Sequence, residues 1–451
     1  MVRNIEGIIM SNSLYFKLFL FVTLTAFSVS SCTLKSVKHT FKELTPYEKY
    51  MQDLEAANLH QRPMVQQWLA EGERAMRDST FITLPLSETG SFLSHEPEAR
   101  SYKFDARDGQ VLTLKGATSS TGNAKLFVDL FLWKDNQWKV EASADTVLDL
   151  TYEFQRDAKC LLRIQPELLV NAYYSLQLQL TPVLINPVKG ASNKSIQSFY
   201  GDRRDGGKRS HEGIDIFAKK GTPVIAPTSG TVSRVGYSRL GGKVVWMHDS
   251  KRGHSYYFAH LDSQYVHAGQ NVKQGDILGV VGNTGNARYT PPHLHFGIYQ
   301  SKAKDPLYYV KTLEALTDET MLDTSFQIAP FKTIAKTSAL LSGPSTSSKV
   351  ILNLEKNQYV RVVAQSREWF RVSLPDKVEG YVLKKQIAPV QAGDPFTIKN
   401  AAQIRAGVHP HAPVIHELTS DSTVELLANF KQHHYIKTSE GLFGWVTLNT
   451  L

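Results

Sequence analysis

The sequence predicts a mainly β, multi-domain protein with short helices near its N-terminus. Its 451 residues exceed what one hydrophobic core usually serves, so two to four domains are expected. The composition is 42% hydrophobic and 21% charged, which is ordinary for globular protein. Segments such as 127–133 and 174–180 alternate apolar and polar residues with period two, the pattern of half-buried strands.

The N-terminal 31 residues have the pattern of an export signal. Basic residues precede an apolar run at 18–27, which is too short to cross a bilayer, and small residues lead to Cys32. Residues 29–32, Val-Ser-Ser-Cys, resemble the bacterial lipobox, in which the cysteine is lipidated and becomes the mature N-terminus. We therefore expect an exported protein that a lipid anchor at Cys32 holds on a membrane, with the periplasmic face of the outer membrane as the location. Ordinary signal cleavage beside an incidental cysteine is the alternative.

Residues 33–80 are predicted to form a tether and a helical segment. Thr45 is a suitable N-cap and Pro46 suits the first helical position, while Pro63 is expected to divide the segment into two helices. Cys160 is the only other cysteine, so a lipidated Cys32 would leave it without an intramolecular partner. We expect Cys160 to be buried as a packing residue.

Two further β regions flank the central part of the chain. Residues 81–183 read as a β-sandwich, because short alternating strands are separated by turn signals. Residues 334–390 and 395–451 form a repeat in which each copy ends in Gly, an aromatic residue and Val. The repeat resembles the bacterial SH3-like domains attached to cell-wall enzymes, which implies two small β-barrels that bind wall peptides or pack on a catalytic domain.

Positive charge is concentrated in the segment between the sandwich and the repeats. Residues 186–302 contain 16 Lys or Arg against 7 Asp or Glu, which equals the net charge of +9 of the whole chain. A basic exported segment suits an anionic polymer such as the cell wall, or an anionic membrane surface. A nucleic-acid partner is not expected, because the chain has an export signal and no aromatic-basic motif.

The same segment carries spaced metal-ligand residues. His293 and His295 are two residues apart in a strand-like sequence, so both imidazoles are predicted to point to one face, where they could bind a metal. The alternative is a pair of solvent-facing histidines without a metal. His211 and Asp215 have even spacing in a stretch that disfavours a helix, although a simple pair at a turn would also explain them. Two histidines and a carboxylate suit a tetrahedral zinc ion whose fourth position is left for water. The chain has no His-Glu-x-x-His helix, so proton transfer would fall to histidines such as His260.

Taken in order, these motifs resemble those of the LytM/lysostaphin-type zinc endopeptidases, which cut peptide cross-links in peptidoglycan. The resemblance covers about 115 residues and implies an antiparallel β-sheet catalytic domain of the lysostaphin type, placed at 184–315. By this match one Zn²⁺ per chain is bound by His211, Asp215 and His295, while His260 and His293 serve catalysis. Phe258 departs from the usual tyrosine, and Pro291-Pro292 replaces the more frequent Gly-Pro.

The resemblance implies a zinc-dependent metalloendopeptidase in which histidines assist a zinc-activated water. Its partners would be peptidoglycan stem peptides or cross-bridges, and self-inhibition by the N-terminal or repeat domains is a further expectation. Two alternatives remain, a non-catalytic activator of other wall hydrolases and a zinc protease that acts on exported proteins or peptides. Two other histidines, His248 and His254, flank a turn and are predicted to be solvent-exposed.

Overall fold

The computed structural model describes residues 43–313, 316, 328–391 and 393–447. The predicted signal peptide and the anchor position Cys32 lie outside these residues. From Thr45 onward the chain is one compact unit. Within the described ranges, every helix is too short or too polar to cross a bilayer.

Two helices precede the first strand, α1 (Pro46–Ala56) and α2 (Pro63–Arg77). Thr45 caps α1 as predicted: its side chain accepts a hydrogen bond from the Glu48 amide, and the Glu48 side chain accepts from the Thr45 amide. The division at Pro63 is also confirmed. Trp68 of α2 is buried and donates from Nε1 to the Pro166 carbonyl at 2.8 Å, which fixes the helices on the following β domain.

The β domain that follows contains eight strands in two sheets. The strands are β1 (Leu86–Phe92), β2 (Arg100–Ala106), β3 (Gln110–Ser120), β4 (Leu126–Lys134), β5 (Gln137–Ala144), β6 (Asp149–Glu153), β7 (Ala158–Pro166) and β8 (Ala172–Pro182). One sheet has the order β2-β7-β4-β5, and the other contains β1-β8-β3-β6. Their inward-facing residues form one hydrophobic core, as expected of a β-sandwich. Cys160 is 1% exposed in this core, which confirms the packing role predicted for it.

The central domain is built around one antiparallel sheet. Its elements are β9 (Ile196–Ser198), β10 (Arg203–Arg204), β11 (Arg209–Ser210), β12 (Ile214–Phe217), β13 (Pro223–Ile225), β14 (Gly230–Ser238), β15 (Gly242–Asp249), β16 (His254–Gln264), β17 (Asn271–Val272), β18 (Ile277–Val281), β19 (His293–Tyr299), β20 (Ala303–Lys304) and a short helix α3 (Leu307–Val310). The main path of the sheet is β17-β14-β15-β16-β19-β12-β9, and β10 and β11 form a separate two-stranded hairpin. A second hydrophobic core lies under this sheet.

The two C-terminal segments have the same strand order, as expected of a repeat. The first contains β21 (Ala329–Thr333), β22 (Thr337–Leu341), β23 (Val350–Glu355), β24 (Tyr359–Ser366), β25 (Trp369–Ser373), β26 (Glu379–Leu383) and β27 (Ile387–Pro389). The second contains β28 (Asp394–Thr397), β29 (Ala402–Arg405), β30 (Val414–Leu418), β31 (Thr423–Phe430), β32 (His433–Thr438) and β33 (Phe443–Thr447). The path β23-β22-β26-β25-β24-β21 of the first segment matches β30-β29-β33-β32-β31-β28 of the second.

The first repeat is continuous with the sandwich. Strand β24 pairs with β1, so the sandwich sheet and the first repeat form one 11-stranded sheet. Trp369 and Tyr381 of the repeat belong to the sandwich core. At this junction the buried Glu88 carboxylate accepts hydrogen bonds from three tyrosine hydroxyls, including that of Tyr381 at 2.6 Å.

One of the two histidines predicted to be solvent-exposed is buried. His248 is exposed as expected, but His254 is only 6% exposed, so that prediction was wrong. The turn after β15 folds back against the sandwich, and Arg252 forms an ion pair with Glu153 there. The His254 ring consequently packs edge-on against Tyr309 at this contact.

Candidate active site

Three side chains converge in a buried cluster on the central sheet. His211 Nε2 lies 3.0 Å from Asp215 Oδ1 and 2.9 Å from His295 Nδ1, and the latter two atoms are 3.1 Å apart. Among the described residues this is the one group of three or more His, Cys, Asp or Glu side chains close enough to share an ion. These are the three residues that the sequence predicts as metal ligands. Two imidazole nitrogens and one carboxylate oxygen form a donor set that fits zinc.

Strand register brings these ligands together. Strands β12 and β19 are antiparallel neighbours, and Asp215 lies directly opposite His295. The intervening Ile214, Ile216 and Leu294 point the other way and are fully buried. Gly213 allows the close approach, because a Cβ atom at this position would lie 2.4 Å from the Phe296 carbonyl oxygen and 2.7 Å from a ring carbon of His295.

A second layer of contacts orients the ligands. His211 Nδ1 is 2.8 Å from the Phe199 carbonyl oxygen, which can only accept, so the ring donates there and leaves Nε2 for a metal. The second oxygen of Asp215, Oδ2, accepts a hydrogen bond from Arg204 Nη2 at 2.8 Å. The two oxygens of Asp215 thus face different partners.

The two predicted catalytic histidines lie beside the cluster. His260 and His293 have ring centroids 5.0 Å apart, and the His260 ring is 6.0 Å from that of His295. The Nδ1 atom of His260 donates to the Thr284 carbonyl at 2.9 Å, and that of His293 donates to the Pro291 carbonyl at 2.8 Å. In its neutral form each ring therefore carries its proton on Nδ1 and has an unprotonated Nε2 that can accept one.

A backbone irregularity aims His260 at the site. The pairing of β15 with β16 shifts register next to this residue, and His260 itself has a φ of 62°. A non-glycine residue in the left-handed region is uncommon and occurs often at functional sites. The extra residue of this bulge interrupts the alternation of side chains between the two faces of the sheet, and the His260 imidazole lies beside His293.

Burial and neighbouring charges set the protonation of the site. Burial, followed by the nearby His293 and His295, lowers the pKa of His260 to about 4. Burial also lowers the pKa of His295. Burial alone would raise the pKa of Asp215, but the His211 and His295 side chains beside it outweigh burial and hold that pKa below its usual range. At neutral pH His295 is therefore an unprotonated imidazole and Asp215 an ionised carboxylate, the forms that bind a metal.

A cleft of about 380 Å³ opens above these residues. Its lining includes the polar side chains of Arg204, Arg209 and Tyr299 and the apolar side chains of Leu240 and Ala287. Every residue that lines the cleft lies between positions 198 and 299. Within the part of the chain that the structure describes, no residue of α1, α2, the sandwich or the repeats lines the cleft, so these residues give no support to the expected self-inhibition.

Sequence reasoning missed Arg204. Arg204 lies in a two-residue strand, and only its place in a pair of arginines shortly before His211 could have drawn attention to it. Phe258 is fully buried in the core, whereas the neighbouring Tyr257 lines the cleft. The departure at 258 therefore changes the core and leaves the cleft surface unaltered.

Comparison with known proteins agrees with this geometry. Residues 209–306 match the model of peptidase family M23, and residues 337–388 match the bacterial SH3 domain. The chain is 36% identical over 141 residues to an L-Ala–D-Glu endopeptidase of Bacillus subtilis, which covers 28% of this chain and 43% of that protein. It is 32% identical over 124 residues to the peptidoglycan DD-endopeptidase ShyC of Vibrio cholerae. That match covers 26% of this chain and 28% of ShyC.

Among solved structures, the catalytic domain of lysostaphin from Staphylococcus simulans is 33% identical. That match covers 26% of this chain and 92% of the lysostaphin domain, with a TM-score of 0.23. The chain matches less than half the length of the two curated relatives named above. Through residues 209–306 the chain belongs to peptidase family M23, and residues 337–388 form a bacterial SH3 domain.

Proposed function

We propose that this protein is a zinc endopeptidase that hydrolyses peptide cross-links of bacterial peptidoglycan. The observation that carries the proposal is the convergence of His211, Asp215 and His295 within about 3 Å, with His260 and His293 beside them at the floor of an open cleft. Two of its relatives, an L-Ala–D-Glu endopeptidase and a peptidoglycan DD-endopeptidase, support this substrate class by their names.

The protein's own residues would divide the work in three parts. His211, Asp215 and His295 would hold the ion, which when bound lowers the pKa of water and polarises a carbonyl. The free Nε2 atoms of His260 and His293 would accept a proton from the attacking water and return one to the leaving amine. The carbonyls of Thr284 and Pro291 keep each ring in the tautomer that this exchange requires.

The completeness of the site favours an enzyme over the alternative of a non-catalytic activator. An activator has no need of a metal ligand set or of two buried, correctly oriented histidines. Here all five side chains are present, and the hydrogen bonds of both outer histidines leave Nε2 available. A protease acting on exported proteins would use the same site, so the substrate has to be tested directly.

The proposal is tested by incubating the mature protein with purified cell wall and analysing the released fragments by mass. We expect cross-link cleavage that stops with a zinc chelator and returns when zinc is added. His260→Ala should abolish cleavage, while His248→Gln, which changes an exposed histidine of the same domain, should not. Release of the same fragments by wild type and His260→Ala would contradict the proposal. Cleavage of unfolded exported proteins but not of cell wall would favour the protease alternative.

We also propose that Cys32 carries a lipid that anchors the exported protein to a membrane, on the strength of the apolar run and the Val-Ser-Ser-Cys sequence. Acyl chains stabilise membrane binding by about 0.8 kcal/mol per buried CH₂, so a multiply acylated cysteine holds firmly. Cells expressing the protein should incorporate labelled palmitate into it. Incorporation that persists in Cys32→Ser would contradict the anchor.

A further inference from the structure

We propose that Arg204 is a positioning residue that fixes how Asp215 meets the metal. This inference rests on the proposed function, because it assigns a role toward the ion that His211, Asp215 and His295 would hold. The guanidinium occupies Oδ2 of Asp215, so Oδ1 alone is directed at the two imidazoles.

The position of Arg204 follows from a small hairpin. Strands β10 and β11 pair through Arg203 with Ser210 and Arg204 with Arg209, immediately before the ligand His211. From this hairpin the Arg204 side chain reaches β12, where its Nη2 donates to Asp215 Oδ2 at 2.8 Å. The Arg204 side chain is 31% exposed, and that of Asp215 is 10% exposed. The exposed hairpin is thereby connected to a nearly buried ligand.

Ser198 extends the contact to a second ligand. Arg204 Nη2 also donates to Ser198 Oγ, and this hydroxyl lies 3.3 Å from Nδ1 of His211. One guanidinium is therefore linked to two of the three predicted ligands. A planar guanidinium can hold both contacts in a fixed geometry, whereas an ammonium group acts as a point charge.

Removing Arg204 would change the affinity of the site for zinc in two opposite ways. Without the guanidinium, the Asp215 carboxylate can rotate and offer either oxygen, which weakens binding of the metal. Removing a positive charge near a cation site would instead strengthen binding. Outer-shell partners of metal ligands typically change metal affinity by about 10–100-fold when they are mutated. We therefore expect the loss of orientation to dominate.

Zinc affinity of the mature, full-length protein distinguishes these effects. The dissociation constant is measured by competition with a chelator of known affinity, for wild type, Arg204→Gln and Arg204→Lys. Arg204→Gln removes the charge, and Arg204→Lys keeps the charge but loses the planar fork. If orientation dominates, both variants should bind zinc about 10–100-fold more weakly than wild type. Arg203→Gln is the matched control, because Arg203 is exposed on the same hairpin, and it should bind like wild type.

Cobalt provides a readout that a general loss of stability would not reproduce. The visible absorption of bound Co²⁺ reports the coordination of the ion, so a carboxylate that has turned should change the band positions in Arg204→Gln and Arg204→Lys but not in Arg203→Gln. The melting temperature of each metal-free variant shows whether it is folded. If Arg204→Gln does not fold, the comparison of Arg204→Lys with wild type carries the test.

The outcomes separate the two proposals. Zinc binding by Arg204→Gln that equals or exceeds wild type would overturn the positioning role while leaving the proposed function in place. Tight binding by Arg204→Lys together with weak binding by Arg204→Gln would also overturn the role assigned to the planar guanidinium, since any cationic hydrogen-bond donor to Asp215 would then suffice. If the wild-type protein itself binds no zinc, the proposed function fails.

Discussion

Asp215 lies directly opposite His295 across strands β12 and β19, and its Oδ1 atom is 3.1 Å from His295 Nδ1. The ligand pair is thus set by the register of two neighbouring strands in the middle of a sheet, where flanking apolar residues are fully buried. A one-residue slip would turn both side chains to the opposite face, so the buried core protects the geometry of the site.

Replacing Asp215 by Asn should remove zinc without unfolding the domain. The amide has nearly the same shape but no charge, and it leaves the Arg204 guanidinium beside a neutral group. We expect the zinc content of the purified protein and its activity on cell wall to fall by more than about 100-fold, because a charged ligand is lost. Zinc is quantified by elemental analysis, and the melting temperature reports folding.

The matched control for this change is Asp276→Asn. Asp276 accepts a hydrogen bond from the Lys273 amide in a turn of the same domain and does not line the cleft. It should retain its zinc and its activity. Full zinc occupancy in Asp215→Asn would show that Asp215 is not a ligand.

Much of this site could be predicted because its chemistry is concentrated in short motifs. His293 and His295 keep even spacing within β19, so their common face could be inferred from the sequence. His211 lies in the connection between β11 and β12, so its approach to Asp215 follows from the local turn and not from strand alternation. The cap at Thr45 and the break at Pro63 were equally predictable, since both depend on local backbone geometry.

The features that escaped prediction depend on partners far away in the chain. The ion pair of Arg204 with Asp215 joins a loop hairpin to a strand, and no periodicity marks it. His254 is buried because its turn meets the sandwich. Glu88 lies in a strand whose local sequence shows nothing unusual. Its hydrogen-bond partner Tyr381 follows 293 residues later, in a repeat that continues the same sheet, and no local pattern indicates this contact.

Arg209 should affect which substrates the enzyme prefers. It lines the cleft, in a segment whose net charge equals that of the whole chain. A peptide with a free carboxylate next to the scissile bond would benefit from this cation, and its amidated counterpart would not. We expect Arg209→Gln to lower kcat/KM for the carboxylate substrate by about 5–20-fold, equivalent to about 1–2 kcal/mol, with little change for the amide.

Two synthetic cross-linked peptides that differ only in this group provide the measurement. Arg203→Gln is again the control, because it removes one positive charge from the same exposed hairpin without altering the cleft lining. An equal loss for both substrates would mean that Arg209 acts on stability or on the metal and does not read the carboxylate.

The junction between the sandwich and the first repeat should depend on Arg371. This side chain is fully buried and forms an ion pair with Glu379 at 2.8 Å, with Glu88 4.0 Å away. Arg371→Leu would leave Glu88 buried without this cation and Glu379 with the more distant Arg74, 3.7 Å away. Breaking a buried pair typically costs about 3–5 kcal/mol. We expect a large fall in melting temperature in calorimetry, while Lys356→Gln on an exposed turn should change little.

The shared sheet makes this change informative about domain independence. If the first repeat and the sandwich unfold together, Arg371→Leu should shift one common transition. A separate transition for the repeat, with the sandwich unaffected, would contradict the shared core that includes Trp369 and Tyr381.

Stability in acid should depend on Glu96, at the edge of the same junction. Burial would raise the pKa of this carboxyl group, but Arg361 and Lys377 outweigh burial and lower the pKa to about 2. Lys377 Nζ lies 2.6 Å from Glu96 Oε1. Because the pKa in the folded state is below that in the unfolded chain, the ionised group stabilises the fold at neutral pH, and this contribution is lost as pH falls from about 4.5 toward 2.

Glu96→Gln should therefore lower the melting temperature at pH 7, where the ion pairs contribute on the order of 3 kcal/mol. The difference from wild type should shrink by more than half at pH 3, because wild type itself is losing the contribution. Glu355→Gln, which changes an exposed carboxylate of the first repeat, is the control and should follow wild type at every pH. A difference for Glu96→Gln that stays constant from pH 7 to pH 3 would show that the effect comes from lost packing and not from the charge of Glu96.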